Sequence, residues 1–358
     1  MRLLTEEKEK PRKIRLGEYP YTYVRVVVMR TMLLGRDDYH KLMKMGFNEI
    51  ARFLQDSNYK DDINRLGVKY SGSELIERAL NNNLATTFAK LKRISPDELR
   101  LLINAYLKRL DFWNIKTILR GKYVGETEEK IETMLMPCGE LTQKQLIELN
   151  RKKTIEEVLK NNGIVEFEEL KEALDKFKKS NMLIEIENKL DLIYYNSVLE
   201  FIKRLPKQGN IFREFLESEI EVLNILTILR LKKENFKDIE NYLFITKSIE
   251  KYPLLESLLE LKELSEASKA FEKTKYSKEL KKGFDDLKDN NSLITLELGF
   301  YTYLLKKSMN VQHQNPLSVD VILGFMWAKL IEINNLNLLV KGRQAGMEDE
   351  FIESHLVV

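Results

Sequence analysis

The chain has 358 residues, enough for two or three domains, and its apolar fraction of 43% suits a well-packed soluble protein. Its 59 basic and 56 acidic residues nearly cancel to +3, which speaks against the concentrated positive surface that nucleic-acid binding requires. One cysteine, Cys138, excludes an internal disulfide and a thiolate zinc cluster and suits a reducing cytoplasm.

The densest basic stretch, Lys8 to Arg15, is open to contact with acidic lipid or a partner, but a solvated N-terminal tail over residues 1–17 is the simpler expectation. No charged-then-apolar leader with a small-residue cleavage site precedes the body of the chain, so no export signal is expected. Tyr19 to Val28 is crowded with aromatic and β-branched residues, as a strand would be. Arg25, Met29, Met32 and Leu33 continue in helical spacing, so a helix is predicted. The apolar run Val24 to Leu34 is about half a bilayer span and is interrupted by Arg25 and Arg30, which argues against a membrane crossing.

Glycine and proline are sparse, 15 and 7, and apolar residues recur at three- and four-residue spacing nearly throughout, which predicts an all-α fold. Ser95-Pro96-Asp97-Glu98 reads as an N-cap serine, a first-turn proline and a capping-box glutamate, opening a helix that closes at Arg120-Gly121. That helix would have about 25 residues and run roughly 37 Å. Thr142 with Gln145 and Thr154 with Glu157 form two further capping boxes. Asn315-Pro316 opens a second long helix ending at Lys341-Gly342.

The two long helices belong to a repeat. Leu110-Asp111-Phe112-Trp113-Asn114-Ile115-Lys116-Thr117-Ile118-Leu119-Arg120 matches the segment Ile220 to Arg230, with Glu221, Asn224 and Arg230 in place of Asp111, Asn114 and Arg120. A third copy runs from Ile331 to Lys341 with Glu332, Asn335 and Lys341. The asparagines are 110 and 111 residues apart, and Pro96, Pro206 and Pro316 precede them by 18 or 19. Weaker echoes pair Ser57-Asn58-Tyr59 with Thr274-Lys275-Tyr276, and Leu190 to Tyr195 with Leu296 to Tyr301. A period this long is a domain rather than a solenoid unit, which divides the chain into 18–127, 128–235 and 236–346, with residues 347–358 as a C-terminal tail.

At 100° per residue the acid and the asparagine of each copy share the apolar half of the helix. Buried there, they need partners, because an unsatisfied amide costs about 1–3 kcal/mol. A carboxylate repeated three times would serve binding or catalysis. Domain repetition more directly yields a network tying each long helix to its neighbours, and that structural role is the expectation for all nine motif residues. Trp113 and Trp327, large and apolar in long helices, are expected in the core.

The three histidines, His40, His313 and His355, are widely separated, so no metal site is expected. Gly121-Lys122 falls at a helix end instead of a phosphate loop, and no nucleophile elbow occurs. No cofactor, small-molecule substrate or catalytic residue is predicted.

Several segments carry a family resemblance: Tyr19-Pro20-Tyr21 through Arg25, Arg30-Thr31-Met32-Leu33-Leu34, and Tyr106 with Asp111 through Lys122. Pro316-Leu317-Ser318, Lys329-x-x-Glu332-x-x-Asn335-Leu336 and Lys341-Gly342-Arg343 complete it. Together they resemble the C subunits of archaeal and bacterial V/A-type ATP synthases, homologous to the d subunits of vacuolar ATPases, from Tyr19 to Leu356. Asn337 departs from the pattern, standing where the family prefers arginine.

The resemblance implies three similar helical domains around a pseudo-threefold axis, forming a funnel at the cytoplasmic face of the membrane. It implies a peripheral, non-catalytic connector between the membrane rotor ring of proteolipid subunits and the central shaft subunits, passing torque between ATP turnover and ion translocation. The residues alone leave two other classes open: a helical scaffold binding another protein or RNA, and an enzyme using Asp111, Glu221 or Glu332 as acid or base, which would need a cleft opening onto them.

Overall fold

Proline at the first helical position and a buried stripe three and four residues apart make the aromatic opening segment a helix, not a strand. This is α1 (Pro20–Thr31), which buries Thr22, Val26 and Met29. It is the first of a series of helices in a computed structural model that describes residues 17–205, 210–244, 252–261, 263–314 and 317–357. α2 (Arg36–Leu42), α3 (Phe47–Gln55), α4 (Lys60–Leu66), α5 (Gly72–Arg93) and α6 (Asp97–Val124) follow. Then come α7 (Glu128–Met134), α8 (Gln143–Asn150), α9 (Ile155–Lys160), α10 (Phe167–Ser180), α11 (Ile184–Lys203) and α12 (Asn210–Lys233). The chain finishes with α13 (Pro253–Glu260), α14 (Ala267–Phe271), α15 (Ser277–Asn290), α16 (Ile294–Gln314), α17 (Val319–Gln344) and α18 (Asp349–Ser354). The fold is all-α, and no strand occurs among the described residues. Residues 1–16, Pro206 and Asn315-Pro316, expected to form a tail, a repeat marker and a helix start, lie outside them.

Helix ends correct the sequence reading in two places. Ser95 does not cap α6: its hydroxyl donates to the Leu91 carbonyl at 2.7 Å, closing the end of α5, and Pro96 takes the N-cap position with Asp97 first in the helix. Gly121 and Gly342 do not end their helices. α6 continues for 28 residues, about 42 Å, to a left-handed Gly125, and α17 continues to Gln344, just before a left-handed Gly346. A Cβ on Gly121 would overlap the Ile131 side chain, and one on Gly342 would overlap Ile352. These glycines let the next short helix lie directly on the long one. Both threonine starts are present, Thr142 accepting from the Gln145 amide at 3.3 Å and Thr154 from that of Glu157 at 3.1 Å.

The packing order is cyclic. α6 lies against α11, α12 against α16, and α17 against α5, so each long helix meets a helix from the following stretch and the last returns to the first. α17 is apolar and buried on nearly every side, as befits a helix that also carries α1 and α16. The two ends of the chain are stitched together: Tyr19 donates its amide to the Leu317 carbonyl at 2.9 Å, and the Arg343 guanidinium reaches the carbonyls of Met43 and Met45. Beyond Gln344 the chain folds back, with Ile352 and Val357 buried.

Candidate functional site

The repeated asparagines are buried, and each grips the backbone of a segment about twenty residues downstream. Asn114 donates to the Met136 carbonyl and accepts from the Met136 amide, both at 2.8 Å. Asn335 does the same to Val357, at 2.8 and 3.0 Å. A carboxamide matches a peptide group donor for acceptor, so it stands in for a strand neighbour where none exists. Asn224 makes half of this contact, accepting from the Phe244 amide at 2.8 Å while its own nitrogen is unpaired among the described residues. Replacing Asn224 by leucine is therefore expected to cost about 1–3 kcal/mol, and Asn114→Leu more, since it orphans two backbone groups. Denaturant titration of the two variants checks this, and the reverse order would show that the clamp is not what the amides provide.

The acids differ with side-chain length. Glu332 accepts from the Tyr59 hydroxyl at 2.6 Å, from Lys329 at 2.7 Å and from the Leu34 amide at 2.6 Å, tying α17 to the first sixty residues. Glu221 holds Lys275 at 2.5 Å and lies beside the buried Tyr276 hydroxyl. The echo between Tyr59 and Tyr276 is thus a matched pair of hydroxyls, each after a Ser or Thr turn and each facing a motif glutamate. Asp111, one methylene shorter, turns instead to its own connection and accepts from the amides of Glu140 and Leu141 at 2.7 and 3.1 Å.

Burial outweighs those two bonds and pushes the Asp111 carboxyl from 3.8 up to about 6. A carboxyl raised on folding makes the folded state bind more protons, so stability at this position falls as pH rises between those two values, by roughly 3 kcal/mol in all. Measured at about pH 4 and again at about pH 7, the stability of the wild type should fall relative to Asp111→Asn. An unchanged difference would mean that Asp111 ionises as freely folded as unfolded.

At the motif's end the basic residues cross between helices. Arg120 forms a two-bond ion pair with Glu187, at 2.5 and 2.9 Å, and Arg230 pairs with Glu297 at 2.7 Å. Lys341 is the strongest charge drawing down Glu77, a carboxyl that burial holds above the usual range. Glu77, Glu187 and Glu297 are spaced by 110 residues, the period of the motif itself. This corrects the weaker echo, which aligned Leu190 with Leu296 and so ran four residues out of register.

One cluster went unread in the sequence. Arg109 of α6 pairs with the buried Glu219 of α12 at 2.5 Å, donates to the Tyr106 hydroxyl at 2.8 Å and lies 5.5 Å from the Trp327 ring of α17. Tyr106, Leu216 and Trp327 occupy one repeat position, and Arg109 and Glu219 another, so equivalent sites on the three long helices converge. Opposite charges at equivalent positions were the available signal. Trp327 is buried as expected, but Trp113 is 44% exposed. It shares the outward face of α6 with Lys116 and Arg120, which point to ion-pair partners on α11.

Two clefts among the described residues are not bordered by the motif acids. One cleft of about 700 Å³ is lined by residues including Lys176, Glu185 and Tyr242, and another of about 630 Å³ by Met32, Leu34, Asp38 and Phe53 among others; Asp111, Glu221 and Glu332 border neither. Among the described residues no group of three or more His, Cys, Asp or Glu side chains could hold a metal ion, and no helix is long and apolar enough to cross a membrane.

Comparison with known proteins decides the family. The family described as ATP synthase (C/AC39) subunit matches residues 22–355. The chain belongs to the ATP synthase C/AC39 family. The A-type ATP synthase C subunit of Methanosarcina barkeri is 36% identical over 348 residues, covering 96% of this chain and 93% of that protein. Its counterpart from Methanosarcina mazei is 37% identical over 350 residues with the same coverage. That of Haloferax volcanii is 32% identical over 340 residues, covering 94% and 97%. As a C/AC39 member the chain is a non-catalytic part of an ATP synthase. Its repeated residues comprise hydrogen-bonded acids and amides inside and ion pairs between helices outside.

Proposed function

We propose that this chain is the connector of the rotor, seated with one end on the ring of proteolipid subunits at the cytoplasmic face of the membrane and receiving the central shaft subunits at the other. In this reading residues 18–127, 128–235 and 236–346 are three similar domains around a pseudo-threefold axis, and together they form a funnel. Family membership along nearly the whole chain carries the proposal. The cyclic packing of long helices supports it, because a part that passes torque needs stiffness between its domains more than chemistry within them.

The test is to compare ATP hydrolysis with ion uptake in reconstituted vesicles that lack or contain this chain. Without it, hydrolysis should continue in the catalytic head while ATP-driven pumping stops, since ring and shaft cannot pass torque across a gap. Adding the purified chain back should restore pumping. Pumping of normal efficiency in its absence would defeat the connector reading.

A further inference from the structure

The connecting segment that follows α6 returns after α17. Gly125, Ile131, Glu132, Leu135 and Met136 have Gly346, Ile352, Glu353, Leu356 and Val357 as counterparts 221 residues on, two periods of the motif. Local geometry repeats with the sequence. Gly125 and Gly346 are both left-handed, and Ile131 and Ile352 lie over the equivalent Gly121 and Gly342. Asn114 and Asn335 grip Met136 and Val357 in turn, each by both polar groups of the carboxamide. Residues 347–357 thus have the build of a connection between helices, where the sequence alone suggests a tail.

The helix that such a connection leads to is marked by a cation near its start. Lys122 of α6 donates to the Asn150 carbonyl at the end of α8, at 2.6 Å. Lys232 of α12 donates to the carbonyls of Leu259 and Leu261 at the end of α13, at 2.8 and 2.6 Å. Arg343 holds the equivalent position on α17, and the carbonyls it reaches, those of Met43 and Met45, lie at the end of α2. Each cation sits at the negative end of a short helix. In space, therefore, α2 stands to α17 as α8 stands to α6, although it lies near the opposite end of the sequence. α18 bridges the two, with Glu353 meeting His40 of α2 at 3.2 Å. We infer that residues 347–357 are a clasp, docked against α2 in the place that α7 holds against α8, and that they lock the seam where the last helices meet the first. The inference stands apart from the connector reading, because its test reads backbone protection in the isolated chain.

The experiment is hydrogen exchange on the full chain, read at the Tyr39 and Met43 amides, which bond to carbonyls of α2 and its cap. Ile352→Ala empties the space over Gly342 and should speed exchange of both amides at least about tenfold, while the Leu146 amide of α8 keeps its wild-type rate. His40→Cys/Glu353→Cys, two exposed sites joined by a short bis-maleimide, should slow the same two amides; the native Cys138 is buried and leaves the reagent to the new thiols. Should Ile352→Ala loosen α8 as much as α2, the whole fold is opening and the cross-linked pair decides. Faster exchange confined to α18 and the last turn of α17 would overturn the inference by making the segment a passenger on α17. Unchanged exchange in α2 after cross-linking would overturn it too.

Discussion

Replacing Lys329 by methionine is expected to destabilise the protein by about 3–5 kcal/mol, because it leaves the buried Glu332 carboxylate without its counter-ion. Both side chains are almost wholly buried, and the Lys329 ammonium touches both the Glu332 carboxylate and the Tyr59 hydroxyl. Burial lowers the pKa of Lys329, and Glu332 pulls it back up, so the buried ammonium depends on its carboxylate partner. The double variant Lys329→Met/Glu332→Gln should therefore recover much of the loss, since no unpaired charge remains inside. Guanidinium unfolding of the three proteins reads both effects. A single variant within about 1 kcal/mol of wild type, the range of surface ion pairs, would show that water reaches the cluster.

That cluster marks the limit of what could be read in advance. Lys329, Glu332 and Asn335 stand one helical turn apart, so their common face on α17 is legible from spacing. Tyr59, some 270 residues away, is legible only as an echo of Tyr276, and its partnership with Glu332 needs the fold. The asparagines announced themselves by repetition, but what they hold, backbone groups of Met136, Phe244 and Val357, has no side-chain signature at all.

The misreadings have physical causes as well. A shift of four residues is about one helical turn, so aligning Leu190 with Leu296 preserved the apolar face and concealed the error; only the Arg120–Glu187 and Arg230–Glu297 pairs fix the register. Glycine after a basic residue is a common helix end, yet at Gly121 and Gly342 the absent side chain makes room for an isoleucine. Trp113 sits beside Asn114 in sequence but about 100° around the helix from it, which turns the indole outward despite its size.

The second large effect is expected where the three long helices converge. Glu219→Ala should cost about 3–5 kcal/mol by stranding Arg109, and the cost should nearly vanish when Arg109→Met is made with it. Such coupling is expected because Arg109 does three things at once: it pairs with Glu219 on α12, holds the Tyr106 hydroxyl on its own helix and stacks near Trp327 on α17. Phe215 of α12 meets the same indole edge to face, with ring centroids 5.5 Å apart, so α12 and α17 touch there independently of the charge. A double-mutant cycle in urea separates the two contributions. Strong coupling between Arg109 and Glu219 means that the ion pair itself holds α6 to α12, the stiffness that the proposed connector role calls for. Additive single effects would mean that the helices meet through apolar packing alone, and the charge pair would then have no part in holding the long helices together.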